Sequence, residues 1–315
     1  MGRRLWAAIL AAVILFSSFG VVPEARAAGI KATNLSLLEK LQRLTRQLNS
    51  QQDRLAAGEY HNVYVNDDGT VSAAGRTKDG RCKVGSWEDI VAVSAYNHTV
   101  GLKSDGTVVA TGQNGNGQCK VSKWKDIIGI AAGNKHTLGL KSDGTVVAVG
   151  SNKDGQTNVK KWKNIVQVAA GGKNSYGLKS DGTVVACGSN SNKQKKASEW
   201  EDITQLAAGS LHVVGLKEDG TVVAAGSNGY GQCDVCKWKD IVAVSAGYYF
   251  TLGLKSDGTV VSTGDNRMKQ CNTKKWKDIV AIAGGTYHAV GVDSEGKFYF
   301  SGNKDHGQRN LGKED

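Results

Sequence analysis

A chain of 315 residues with 41 Gly and a single Pro has many tight turns, yet hydrophobic residues still make up 40% of it, which excludes a disordered or collagen-like protein. Its length admits one large β domain or two ordinary ones. A balance of 40 Lys+Arg against 29 Asp+Glu, a formal net charge of +11, suits an acidic partner, an acidic polymer or simply a soluble surface.

Residues 1–27 read as an export signal. Arg3 and Arg4 precede the apolar run Leu5 to Val22, Pro23 breaks any helix, and Ala25-Arg26-Ala27 supplies the small residues of a cleavage site. An uncleaved anchor is the alternative, since about 18 apolar residues can just span a bilayer. Cleavage after Ala27 removes three arginines and one glutamate, leaving +9 from +11 and no membrane span. The expectation is a secreted or extracellular protein, or one held in the cell envelope.

Residues 28–53 are a linker and a short amphipathic α-helix. Ser36 and Glu39 form a capping box, and Leu37, Leu41, Leu44 and Leu48 follow at helical spacing to about Gln52. Such a helix either packs on the rest of the protein or pairs two chains as a short coiled coil, giving a homodimer through residues 36–52.

From residue 54 to 315 the chain repeats. Gly69, Gly106, Gly144, Gly182, Gly220, Gly258 and Gly296 are spaced by 37 once and then by 38 five times, and six tryptophans from Trp87 to Trp276 keep the same step. One unit, Asp126 to Lys163, reads DIIGIAAGNKHTLGLKSDGTVVAVGSNKDGQTNVKKWK. IIGIAAG, HTLGLK and TVVAVG are short β-rich runs, KSDG is a hairpin turn, and a weaker outer strand precedes the tryptophan. One unit cannot bury both faces of its sheet. The expected fold is all-β: a seven-bladed β-propeller of 38-residue repeats, with the small AAG run innermost.

The run AAGNKHTLGLKSDGTVVAVGSNKDGQ and its six copies resemble the regulator-of-chromosome-condensation repeat family over about residues 54–310. The style is closest to secreted bacterial members, among them a β-lactamase-inhibitory protein whose repeats also read G-x-N-x-x-G-Q. The resemblance implies a propeller and a protein partner. This chain departs from that protein in carrying W-K-D-I and a Cys after G-Q.

The chemistry-bearing residues mostly read as structure. His61, His98, His136, His212 and His288 share one repeat position, with Asn174 and Phe250 in the other two units. Residues one blade apart cannot share a zinc ion at ~2 Å bonds, so each histidine is expected to make a hydrogen bond inside its own blade. Cys82, Cys119, Cys233 and Cys271 are too far apart for disulfides, and Cys233 with Cys236 lacks a second pair to complete a zinc site. The tryptophans pack between blades, and the Asp of each KSDG is turn chemistry. No metal or cofactor is expected, and no acid–base pair breaks the repeat to suggest an enzyme.

Function is sought where copied units differ. The KSDG turns and W-K-D junctions emerge on one monotonous face. The opposite face varies from blade to blade and gathers aromatic residues. Its turns and neighbouring loops carry Tyr60, Tyr96, Lys135, Lys173, Leu211, Tyr230, Tyr248, Tyr249, Phe250 and Tyr287, the expected partner-binding residues. The leading expectation is a secreted, non-enzymatic protein binder, such as an inhibitor of a secreted or envelope enzyme. The competing one is attachment to an acidic envelope polymer. Nucleic acid is not expected, because lysines recur in every blade instead of forming one stripe.

Overall fold

The computed structural model describes residues 51–312. The expected signal segment and nearly all of the expected helix over 36–52 lie outside the described residues; residues 51–53 are helical and lead into the first strand.

The β-rich runs form seven three-stranded antiparallel sheets, each built from one contiguous repeat. Blade 3 shows the pattern, with inner strand Ile127–Ala132, middle strand His136–Lys141 and outer strand Val146–Gly150. The segment expected as a weaker fourth strand is no strand in any blade but turns or, as over Gln194–Glu199 in blade 4, a short 3-10 helix. In blade 3 it runs from the buried Gln156 to Trp162 as two successive turns, closed by Val159 N to Thr157 O and Trp162 N to Val159 O, each at 2.9 Å. The inner strands of neighbouring blades lie side by side, and that of blade 7, Ile279–Gly284, meets that of blade 1, Leu55–Ala57. They surround a central channel of about 1660 Å³.

Local chemistry explains the constant face. In KSDG, Asp143 Oδ1 accepts from Thr145 N at 2.9 Å and Thr145 Oγ1 at 2.6 Å, while Gly144 takes φ +75°. In W-K-D-I the Asp is left-handed: Asp89, Asp126, Asn164, Asp202, Asp240 and Asp278 all have φ between 56° and 61°. Asp and Asn tolerate that conformation better than other side chains, which is why no other residue type stands there. The following isoleucine then donates to the glycine of the preceding blade's turn, Ile127 N to Gly106 O at 3.0 Å.

Large side chains fill the seams. A Cβ added to Gly139 would lie 2.8 Å from the Trp124 ring, and the same contact recurs between each repeat tryptophan and the glycine of the next blade's middle strand. The tryptophans are packing residues, as their spacing suggested.

The histidines also build seams, but their bonds cross from blade to blade where the sequence suggested bonds within one. His61 Nε2 lies 2.8 Å from Thr99 Oγ1 of blade 2, and Thr99 Oγ1 donates to the carbonyl of Arg81 at 2.7 Å. That hydroxyl's one proton is thereby used, so the histidine must be the donor. His98 with Thr137, His136 with Ser175 and His212 with Thr251 repeat the arrangement. His288 Nε2 donates to Asn62 Oδ1 at 2.8 Å, and Asn62 Nδ2 donates to Gln308 O at 2.9 Å, so the same seam closes blade 7 onto blade 1.

The two exceptions are matched pairs. Asn174 faces Val213, which offers no hydroxyl, and turns its amide to Ser189 O of its own blade. Phe250 faces Ala289 in place of the threonine, and both are fully buried in one cluster. Phe250 is therefore core and cannot touch a partner, which corrects its place among the expected binding residues. The misreading has a simple cause: Phe250 begins a strand rather than belonging to the turn before it.

This pairing predicts a mutant cycle. Phe250→His buries a donor against a methyl group and should lower stability by about 2 kcal/mol, the usual cost of an unmade buried hydrogen bond. Adding Ala289→Thr should recover at least about 1 kcal/mol of that loss, since contacting pairs couple on this scale. Urea unfolding measures both, and equal losses in the single and double variants would contradict the seam.

Candidate partner-binding face

The turns from inner to middle strand all emerge on one face and are stitched across the seams by backbone bonds. Glu59 N donates to Tyr96 O at 2.8 Å, and Tyr248 N to Gly285 O at 3.1 Å. Side chains carried by these turns therefore sit on a rigid base.

Six tyrosines converge there. Tyr248 and Tyr249 meet edge to face with centroids 4.4 Å apart, and Tyr249 lies 4.9 Å from Tyr230. Tyr230 is placed by its own loop, where Tyr230 N donates to the buried Gln232 Oε1 at 3.0 Å. Burial, and next the Tyr248 phenol, push the Tyr249 phenol up to about 12. Tyr287 stands close enough to Tyr249 on one side and Tyr60 on the other to be felt by both phenols. Tyr60 ends the row against His306, ring centroids 4.9 Å apart and edge-on.

Tyr96 occupies the middle of the face. It starts in blade 2 and reaches towards Ser210 of blade 5, beside Tyr248 and Tyr249, without a hydrogen bond of normal geometry. Its ring thus lies across the channel mouth, and burial raises its phenol.

Two arginines that sequence reasoning missed hold the edges of the cluster. Arg267 sits 4.7 Å over the Tyr230 ring and is clamped from behind by Asp265, with Nε to Oδ1 at 2.9 Å and Nη2 to Oδ2 at 3.0 Å. The Arg267 hydrogen bonds hold the Asp265 carboxyl below its ordinary range. Arg76 lies 5.5 Å over Tyr60. A signal for Arg267 was present: unit 6 reads G-D-N-R-M-K-Q where units 3 and 5 read G-S-N-x-x-G-Q, and Lys269 takes the glycine's left-handed φ of 68°.

The remaining expected residues form a different sector. Lys135 in blade 3 and Lys173 in blade 4 are exposed, and Lys173 Nζ lies 3.5 Å from Asp154. Leu211 is half-buried in blade 5. The face is thus aromatic from Tyr230 of blade 5 through blades 6 and 7 to blades 1 and 2, and cationic over blades 3 and 4.

Elsewhere the titratable groups are accounted for locally. Burial holds Cys82, Cys119, Cys233 and Cys271 at about 11, with each thiol pointed at a backbone carbonyl. Among the described residues all six cysteines are free, and no group of three or more His, Cys, Asp or Glu could hold a metal ion. No helix among them is long and apolar enough to cross a membrane.

Residues 90–118, 127–156, 165–194, 203–232 and 241–270 each match the model of the regulator of chromosome condensation (RCC1) repeat. The chain belongs to this family. Its five matched RCC1 repeats are blades 2–6. Blades 1 and 7, outside the matched segments, carry departures of their own, among them Arg81 in place of the G-Q glutamine and Asp293 as the turn acceptor. None of the curated proteins matches the chain.

Among solved structures, the chain is similar to the CRINKLY WD40 ectodomain of the Arabidopsis thaliana receptor kinase ACR4. The two are 18% identical with a TM-score of 0.66, covering 81% of this chain and 97% of that one. Prp20p of Saccharomyces cerevisiae is 17% identical with a TM-score of 0.59, covering 79% and 81%. Human WBSCR16 is 17% identical with a TM-score of 0.62, covering 75% and 85%. At these identities the likeness is one of fold. It gives an RCC1-type propeller, an architecture suited to binding proteins.

Proposed function

We infer that this RCC1-repeat chain is an exported, non-enzymatic propeller that binds a protein through the tyrosine cluster of its variable face, and that its partner is a secreted or envelope enzyme which it inhibits. The observation that carries this reading is the continuity of the cluster. Six tyrosines from five repeats form one patch whose rings are already set by each other and by the Asp265–Arg267 clamp. Preset aromatic rings bind with little loss of side-chain freedom, which is what makes tyrosine an effective anchor. Prp20p, which shares the fold, is described by its binding to Gsp1p and histones. The repeated histidines and turn aspartates are committed to bonds that hold the ring, which supports a binding rather than a catalytic role. The apolar run before Pro23 supports export.

The cationic sector at Lys135 and Lys173 favours a second reading, attachment to an acidic envelope polymer. One experiment separates the two. The chain is used as bait for the extracellular and envelope fractions of its producing cell, at about 0.1 M and about 1 M salt, where the screening length falls from roughly 10 Å to 3 Å. A protein retained at high salt and lost with Tyr248→Ala plus Tyr249→Ala is the expected result. Capture of an acidic polymer that salt releases and the tyrosine changes leave intact would overturn it.

A further inference from the structure

The constant face carries a feature that the repeat chemistry does not require. In blades 2–7 one residue of the inner strand is skipped in the register with the middle strand: Val91, Ile128, Val166, Thr204, Val242 and Val280. A β-bulge leaves such a residue out of the ladder and turns it aside. These bulges stand at the start of the inner strands, and five of the six line the channel at its constant-face mouth. Five of the six are also β-branched hydrophobics, and the largest exposures are 46% at Val91, 58% at Ile128 and 54% at Val166. An exposed position outside the ladder gains nothing from being apolar. A ring of such positions is a collar waiting to be covered, and nothing among the described residues covers blades 2–4 of it.

The chain enters the propeller at this same mouth. Gln52 is clamped to the inner strand of blade 7, donating to Ile282 O at 2.6 Å and accepting from Ile282 N at 3.1 Å. Arg54 fixes the next turn by donating to Val65 O at 2.8 Å and pairing with Asp67 at 2.6 Å. Asp53 lines the channel where the other blades place their bulged residue. Whatever precedes Gln51 therefore starts at the edge of the collar. What precedes it in sequence is Leu37, Leu41, Leu44 and Leu48, spaced for one apolar face, with Leu48 only four residues from the clamped Gln52.

We propose that the leucine face of residues 36–50 docks on the Val91–Ile128–Val166 side of this collar. The tether makes the contact intramolecular, so it needs no second chain.

Hydrogen exchange on the full chain tests this. The amides of residues 36–50 should exchange about a hundredfold or more slowly than a free peptide, the behaviour of a docked element rather than a fraying terminus. That protection should be unchanged on tenfold dilution. Ile128→Lys with Val166→Lys should return these amides to free-peptide rates while the blades stay protected. Should that variant lose the fold, Leu41→Asp with Leu44→Asp leaves the propeller untouched and should speed exchange at Ile128 and Val166. Free-peptide rates in the unaltered chain would overturn the proposal. So would protection that dilution removes, which would place the leucines between two chains, or protection indifferent to the collar.

Discussion

Between pH 7 and pH 5 this propeller should lose most or all of its stability. Five histidines are buried at the seams with Nε2 as donor and Nδ1 facing no acceptor. A second proton would have nowhere favourable to go. Burial accordingly lowers His61, His98 and His288 from 6.5 to about 3, and His136 and His212 to about 4. The folded state thus stays neutral at these sites while the unfolded chain takes up protons below 6.5. Their stabilisation is complete above that value and falls as pH drops from 6.5 towards 4. Each histidine loses about 1.4 kcal/mol per pH unit within the window, so five together remove roughly 10 kcal/mol by pH 5. That equals the whole stability of an ordinary domain. Denaturant midpoints recorded from pH 7.5 to 4.5 would show the fall beginning near 6.5, before the turn aspartates titrate. Transplanting the blade 6 seam, as His212→Phe with Thr251→Ala, should reduce the slope by about one fifth. Equal midpoints at pH 7.5 and 5 would contradict the seams.

The same histidines show what could be read from the sequence. Periodicity placed them at one repeat position and marked them as structural, but gave no direction for the bond. The direction was nevertheless written in the exceptions. His61 pairs with Thr99, 38 residues on, and where the histidine becomes Phe250 the matching residue becomes Ala289. Two breaks that fall together are a contact. Ring closure was invisible for a related reason: it uses the side chains of Gln52, Asn62 and His288 and the backbone carbonyl of Gln308, near the two ends of the repeat array, and no strand is exchanged. The glycine and Asp-Gly pattern, in contrast, carries its own geometry, because a left-handed φ is a property of single residues. It located every hairpin turn.

For the variable face, a list of repeat-breaking residues mixed three environments that only packing separates. Phe250 went inside, Lys135 and Lys173 went to a separate cationic sector, and the tyrosines came together. The Arg267–Asp265 clamp stood in a visibly altered loop, but its role depends on Tyr230 being one blade away.

The densest part of the cluster is Tyr248, Tyr249 and Tyr230 with Arg267 behind them. These rings are half-exposed or exposed, so their removal costs the fold little. Each fills a central place in a preset patch, where truncation has its largest effect on binding. Once the partner is in hand, titration calorimetry on Tyr248→Ala and Tyr249→Ala tests the binding face most directly, with circular dichroism confirming that the ring stays folded. Each change should weaken binding by about 2 kcal/mol or more, roughly thirtyfold, while Lys103→Ala, Lys141→Ala and Lys255→Ala on the constant face should cost less than about 0.5 kcal/mol. Equal losses on the two faces, or undiminished affinity without Tyr248 and Tyr249, would contradict it.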